Sequence, residues 1–196
     1  MLPKFFRNII EQLYELRLFL WCKRRGIERS HIYTIGFPII DNKGNLQIDE
    51  GGKLIMVNNA KDATLGINRK CKLNIYKEAT LHIKGKVRMS NTVIVATKKV
   101  TIGNNVMIGG GVTIVDSDFH SLNYNYWGTP NDEKQMKSIP VHIGNNVFIG
   151  MNTIILKGVT IGNGAVIGAG SVVSSNIPEN EIWVGNPARF LKKRLQ

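Results

Sequence analysis

Cysteine is nearly missing from this 196-residue sequence. Cys22 and Cys71 are the only two, far apart and in no metal-ligand spacing, so neither a disulfide framework nor a zinc knuckle is available. A reducing compartment, the cytoplasm, is the simpler reading. Acidic residues are scarce as well. Fourteen Asp and Glu face 26 Lys and Arg, and the resulting formal charge of +12 favours anionic partners such as nucleic acid, lipid headgroups or a small phosphorylated ligand. The basic residues are scattered and accompany no recognition motif, so nucleic acid is not expected. Long apolar runs are lacking too. In the N-terminal 26 residues Arg7, Glu11, Glu15 and Arg17 interrupt the hydrophobics, and the longest uncharged stretch runs only from Leu18 to Cys22. That excludes a membrane-spanning helix and an ordinary secretory signal.

What is present begins with an amphipathic helix over residues 1–26, ending near Gly26. At about 100° per residue, Phe6, Ile9, Ile10, Leu13, Leu16 and Leu20 share one face, with Lys4, Asn8, Glu11, Gln12 and Glu15 opposite. Such a helix packs on its own domain or a neighbouring subunit. Alternatively it lies on a membrane surface, since Trp21 is followed by Lys23, Arg24 and Arg25.

A six-residue period dominates the second half. Ile102, Ile108 and Ile114 are six apart, as are Ile143, Ile149, Ile155, Ile161, Ile167 and Val173, with glycine directly after most of them. A second lane follows four residues later: Val106, Val112, Val147, Thr153, Val159, Ala165 and Ser171. Six is a multiple of the strand period and not of the helical one, so each lane stays on one face of stacked short strands. Between lanes lie glycines and asparagines, which accept positive φ at tight corners. Three faces per coil put about 18 residues in a turn and stack the isoleucines into a buried column. Upstream the period is weaker, with Ile75, Leu81, Val87 and Val93 at one offset and Ile83, Met89 and Val95 at another; Ile48 and Leu54 begin it. The expected layout is a solenoid over 27–184, with irregular coils to about 99, regular coils over 100–115 and 141–177, and an excursion loop over 116–140. A turn and a short basic helix follow over 185–196.

The repeated Ile-Gly-x-x-Val-x, closing with Gly185-Asn186-Pro187-Ala188, resembles the hexapeptide-repeat acyltransferases, most closely their maltose, galactoside and polysaccharide O-acetyltransferase members. The likeness runs from about Val100 to Lys193. It implies an all-β left-handed parallel β-helix and a homotrimer with active sites in the clefts between prisms. It also implies acetyl-CoA as acyl donor and no metal.

The family's catalytic histidine opens an excursion such as 116–140, and His120 fills that position. Imidazole, with an unperturbed pKa of about 6.5, suits removal of an acceptor proton at neutral pH, a step worth about 10²–10⁴-fold. Asp116 or Asp118, the latter preferred, is expected to fix the imidazole tautomer unless both merely cap the turn. Asn91 stands where the sugar acetyltransferases place a substrate-binding asparagine. Tyr126 and Trp127 offer platforms for a sugar ring or pack the loop on a neighbour. Coenzyme A matches a groove of Gly150, Met151, Gly168, Ala169, Ser174 and Ser175, with Phe148 where relatives carry tryptophan and Ser175 where lysine is frequent. Arg189 and Lys192 would meet its phosphates, or they belong to a solvated tail.

Other readings are weaker. A γ-class carbonic anhydrase site needs two histidines five apart, and His31, His82, His120 and His142 include no such pair. N-acetylation of an amino sugar or nucleotide-sugar differs only in the attacking atom, but those enzymes commonly carry a doubly wound N-terminal domain. A purely structural prism leaves His120 and the excursion unexplained. The expected activity is acetyl-CoA-dependent O-acetylation of a sugar or cell-surface polysaccharide precursor, with basic residues 1–26 suiting the inner face of a membrane.

Overall fold

The computed structural model describes residues 4–24, 27–58 and 69–195, and for residues 4–7 the backbone alone. The chain forms the expected left-handed parallel β-helix. Three sheets form the faces of a prism, parallel throughout except for the last strand of the first: a first face of eight strands, a second of six and a third of five. In the regular coils Phe148 pairs with Val166, Ile154 with Val172 and His142 with Thr160, each 18 positions on, which is the coil length that the hexapeptide period demands. Both lanes point inward, from Ile102 to Val173 and from Val106 to Ser171, and all are buried. Glycines after the first lane allow the coils to touch. A Cβ on Gly150 would stand 2.5 Å from the Ala169 nitrogen of the next coil.

The early coils are irregular, as expected, and Ile75, Leu81, Ile83, Val87 and Met89 all face the core, but one strand lies in the opposite register. Ile94 and Ala96 face the core, while Val93 and Val95 are half-buried on the outside. Four successive apolar residues give the two faces of a strand equal claims, so pattern alone slips by one. Leu54 is buried and Ile48 half-buried. A second interruption falls between Lys53–Val57 and Lys72–Ile75, where Ile39 pairs with Lys72, 33 positions on. Residues 59–68 within it lie outside the described residues.

Helix α1 spans Lys4–Lys23 and closes the open end of the first coil. It docks through Leu18 and Cys22, buried in the same core as Ile32 and Leu46, with Tyr14 and Trp21 packed beside them. The Tyr14 hydroxyl donates to the Gly36 carbonyl at 3.0 Å, and its ring meets Phe37 edge-on at 4.0 Å. The helix thus packs on its own domain, as one of the two readings had it, but not through the apolar stripe from Ile9 to Leu20, which stays exposed. The prism end is narrow and is filled by the opposite side of the helix. Residues 1–3, Arg25, Gly26 and the side chain of Phe6 lie outside the described residues.

The C-terminal segment also differs from the expected basic helix. Arg189–Lys193 is a strand, not a helix, and pairs antiparallel with Glu181–Val184 at the end of the first face. Pairing satisfies the strand edge that ends a solenoid, and five residues are too few for helix cooperativity to compete.

Candidate active site

The 116–140 excursion leaves the second face after Thr113–Val115 and returns to the third at Val141–Ile143. Asp116 at its root is fully buried. Its carboxylate accepts from the Thr97 N–H and hydroxyl, both at 2.7 Å, and from the N–H groups of Lys98 at 2.8 Å and Lys99 at 2.7 Å. Its carbonyl accepts from the Ile139 N–H at 2.8 Å, closing the loop's base. Asp116 is thus committed to holding a coil corner. Asp118 pairs with Lys157 instead. Neither aspartate bonds to His120, contrary to the expectation that one of them would orient the ring.

The carboxylate that does is Asp132. His120 Nδ1 lies 2.8 Å from Asp132 Oδ2, and Asp132 Oδ1 accepts from the Ser121 N–H at 2.7 Å. A carboxylate can only accept here, so Nδ1 carries the proton and Nε2 keeps its lone pair. The hydrogen bond from His120, then that from Ser121, holds the Asp132 carboxyl below the usual carboxylate range. The Asp132 side chain is 11% exposed and that of His120 71% exposed, so the anchor is enclosed and the ring is presented outward. Asp132 is positioned by the short helix α2, Pro130–Lys134, whose N-cap Thr129 accepts from the Asn131 N–H and whose first residue is proline. That Thr-Pro-Asn-Asp signature was readable in the sequence; its proximity to His120, twelve residues away, was not. Phe119, at φ 65, turns the backbone sharply just before His120, supported by its N–H on the Ser117 hydroxyl at 3.0 Å. An imidazole held in this way can take a proton at Nε2.

Trp127 and Tyr126 share the excursion. The Trp127 indole donates to the Ser121 carbonyl at 2.7 Å while its ring stays exposed, and Tyr126 is half-buried.

Asn91 occupies a different edge of the prism, the corner from the first face to the second. It is fully buried at φ 49, its amide donates to the Arg69 carbonyl, and its Oδ1 is buried without a partner among the described residues. It lines a depression of about 330 Å³ with Ile55, Arg88, Met107 and Phe148. Gly150, Met151, Gly168 and Ala169 continue the same edge, successive coils joined there by Asn152 N–H to Gly110 carbonyl at 2.9 Å and Gly170 N–H to Met151 carbonyl at 2.8 Å. Ser174 and Ser175 do not join them. They follow the second-face strand Val172–Val173 and so share the edge from which the His120 excursion springs. Arg189 and Lys192 are exposed on the terminal strand, past the turn that ends the glycine edge. Of the remaining histidines, His82 pairs with Asp49 at 2.7 Å on the third face. Among the described residues, no group of three His, Cys, Asp or Glu could hold a metal ion.

Residues 140–175 match the family described as bacterial transferase hexapeptide (six repeats). WbbJ of Escherichia coli (strain K12), named for lipopolysaccharide biosynthesis O-acetyl transfer, is 33% identical over 142 residues, 70% of this chain and 71% of that protein. The chain belongs to the hexapeptide-repeat acyltransferases. Two solved structures share this acyltransferase fold. AntD, an N-acyltransferase from Bacillus cereus solved with dTDP and 3-hydroxybutyryl-CoA, superposes with a TM-score of 0.65 at 20% identity, over 85% of this chain and 81% of that one. The hexapeptide-repeat acetyltransferase VCA0836 of Vibrio cholerae gives 0.51 at 23% identity, over 93% and 90%.

Proposed function

We propose that this acyltransferase transfers acetyl from acetyl-CoA to a hydroxyl of a sugar or cell-surface polysaccharide precursor, with His120 as the general base. The observation that carries the reading is the His120–Asp132 pair, which leaves Nε2 as an acceptor at the mouth of the excursion. The acceptor hydroxyl gives its proton to Nε2 as its oxygen bonds to the thioester carbonyl carbon. The carbon–sulfur bond then breaks, and the imidazolium returns the proton to the departing thiolate. Asp132 orients the ring and steadies its transient positive charge. The relative from Escherichia coli supports the O-acetyl reading and the sugar class.

The working unit is a homotrimer in which two copies complete each site. In one copy, the glycine edge and Asn91 are separated from the His120 excursion by the whole second face. A four-residue strand such as Val93–Ala96 spans roughly 13 Å, more than an imidazole reaches. The outward rows support side-by-side packing. On the first face Tyr33, Ile55, Met107 and Phe148 interrupt their apolar row only with Arg88, whereas the third face presents Gln47, His82, Thr101, His142 and Thr160. In this arrangement the pantetheine arm follows Gly110, Met151 and Ala169 of one copy and Ser174 and Ser175 of its neighbour. Arg189 and Lys192 meet the phosphates, and Asn91, Tyr126 and Trp127 hold the acceptor.

Thiol release from acetyl-CoA, measured across sugars, nucleotide-sugars and amino sugars, tests the reading beside His120→Ala. A hydroxyl acceptor, with turnover lost in the variant, supports it. Acetylation of amines alone would replace it with N-acetylation, and wild-type turnover in the variant would remove His120 as base.

A further inference from the structure

We propose that the outer face of α1 is a docking surface for an anionic lipid bilayer, on which the enzyme lies without crossing it. With Leu18 and Cys22 sunk into the prism end, the other side of the helix presents Ile9, Ile10, Leu13, Leu16, Phe19 and Leu20, each between 37% and 62% exposed. That is a long row of large apolar side chains on a single element, far beyond scattered surface leucines. No described helix is long and apolar enough to span a membrane.

Charge identifies the occupant. On a helical projection Lys23 falls between Phe19 and Leu16, and Arg24 and Arg17 between Leu13 and Ile10, Arg17 also lying over the Phe37 ring, while Glu11 and Glu15 fall toward the docked side. Glu15 is neutralised there by Arg29 at 2.6 Å. Apolar residues interleaved with cations and neutral Gln12, with no carboxylate among them, match acyl chains beneath anionic headgroups.

Position argues against a second copy. The helix caps the prism end, so its free side faces along the stacking direction and not toward a neighbour packed flank to flank. If the trimer reading holds, three such caps share one end and form a common plane, which suits a bilayer. A helix of 20 residues lying flat contributes about 30 Å of contact.

The test is flotation of the full chain with phosphatidylcholine vesicles, with and without phosphatidylglycerol. The comparison proteins are Leu13→Gln/Leu16→Gln/Leu20→Gln and Lys23→Gln/Arg24→Gln. The wild-type chain should float with the anionic vesicles, weakly with neutral ones, and less as salt rises. Partitioning should fall by at least about 100-fold in the leucine variant, since each buried leucine contributes strongly, and by about 10-fold in the cation variant. Both variants should keep the wild-type sedimentation coefficient and thiol release with a soluble acceptor. A wild-type chain that stays unbound on anionic vesicles overturns the proposal, as does a leucine variant that floats normally. A leucine variant that loses its oligomer shows the face to be an interface between copies. None of these results touches the acetyltransferase reading, which thiol release reports independently.

Discussion

Replacing Asp132 by asparagine keeps its shape and removes one acceptor. The carboxylate uses both oxygens, Oδ2 on the His120 Nδ1–H and Oδ1 on the Ser121 N–H. Asparagine has one oxygen and one NH₂ group for the same two donors. If its oxygen stays on Ser121, the NH₂ faces Nδ1 and forces the proton onto Nε2, the tautomer that cannot act as a base. If the amide turns over, NH₂ opposes the Ser121 N–H, and a buried donor loses its acceptor at about 1–3 kcal/mol. Either way the productive state is depleted by about 5- to 150-fold, since about 1.4 kcal/mol is tenfold. The loss cannot exceed the base's own contribution of about 10²–10⁴-fold, which His120→Ala sets as the ceiling. Steady-state thiol release should show kcat falling by this amount with KM for acetyl-CoA unchanged. Asp132→Glu should recover part of it. Wild-type kcat in Asp132→Asn would refute the reasoning, and so would a fall seen only in KM.

Asp116→Asn should behave in the opposite way: losing one of two accepting oxygens at a fully buried corner leaves an N–H unpaired and lowers stability by about 1–3 kcal/mol in chemical denaturation, with kcat per folded molecule retained. Gly150→Val forces a side chain against the backbone of Ala169 and should lower the unfolding free energy by at least about 1–3 kcal/mol in the same assay. Burial first, then the charges of Lys84 and Lys99, lower the His142 pKa below 6.5. The folded state therefore prefers the neutral ring, so the stability it contributes is present above that value and is lost as pH falls through the folded pKa. Melting temperature should decline below about pH 6.5, and less so in His142→Gln.

The regular coils were legible because their lanes obey one rule at every position: from Ile143 to Val173 each sixth residue must be small enough, apolar enough and inward-facing. The prism edges were legible for a similar reason, since glycine is required where Gly150 meets Ala169. Legibility ended where packing replaced periodicity. Val93 to Ala96 could face either way, and only neighbours in three dimensions chose Ile94. The stripe on α1 was correctly identified as one face, but which side would meet the prism depended on the shape of its open end. Within the site, His120 was marked by the break in the lattice. Asp132 was hidden because the loop's fold, and not its spacing, carries it back to the imidazole, while the nearer Asp116 and Asp118 are claimed by Thr97 to Lys99 and by Lys157.

Mixed trimers test the two-copy site most directly. His120→Ala removes the base, and Ala169→Trp, at an exposed corner position, fills the glycine edge; each alone should abolish turnover. When the two are unfolded and reassembled together in equal amounts, a site made from two copies is intact wherever an Ala169→Trp subunit lends His120 to the free edge of a His120→Ala neighbour. Random assembly restores about a quarter of the sites, and so about a quarter of wild-type thiol release. A mixture as inactive as either variant alone would place His120 and the glycine edge within one copy and contradict the account.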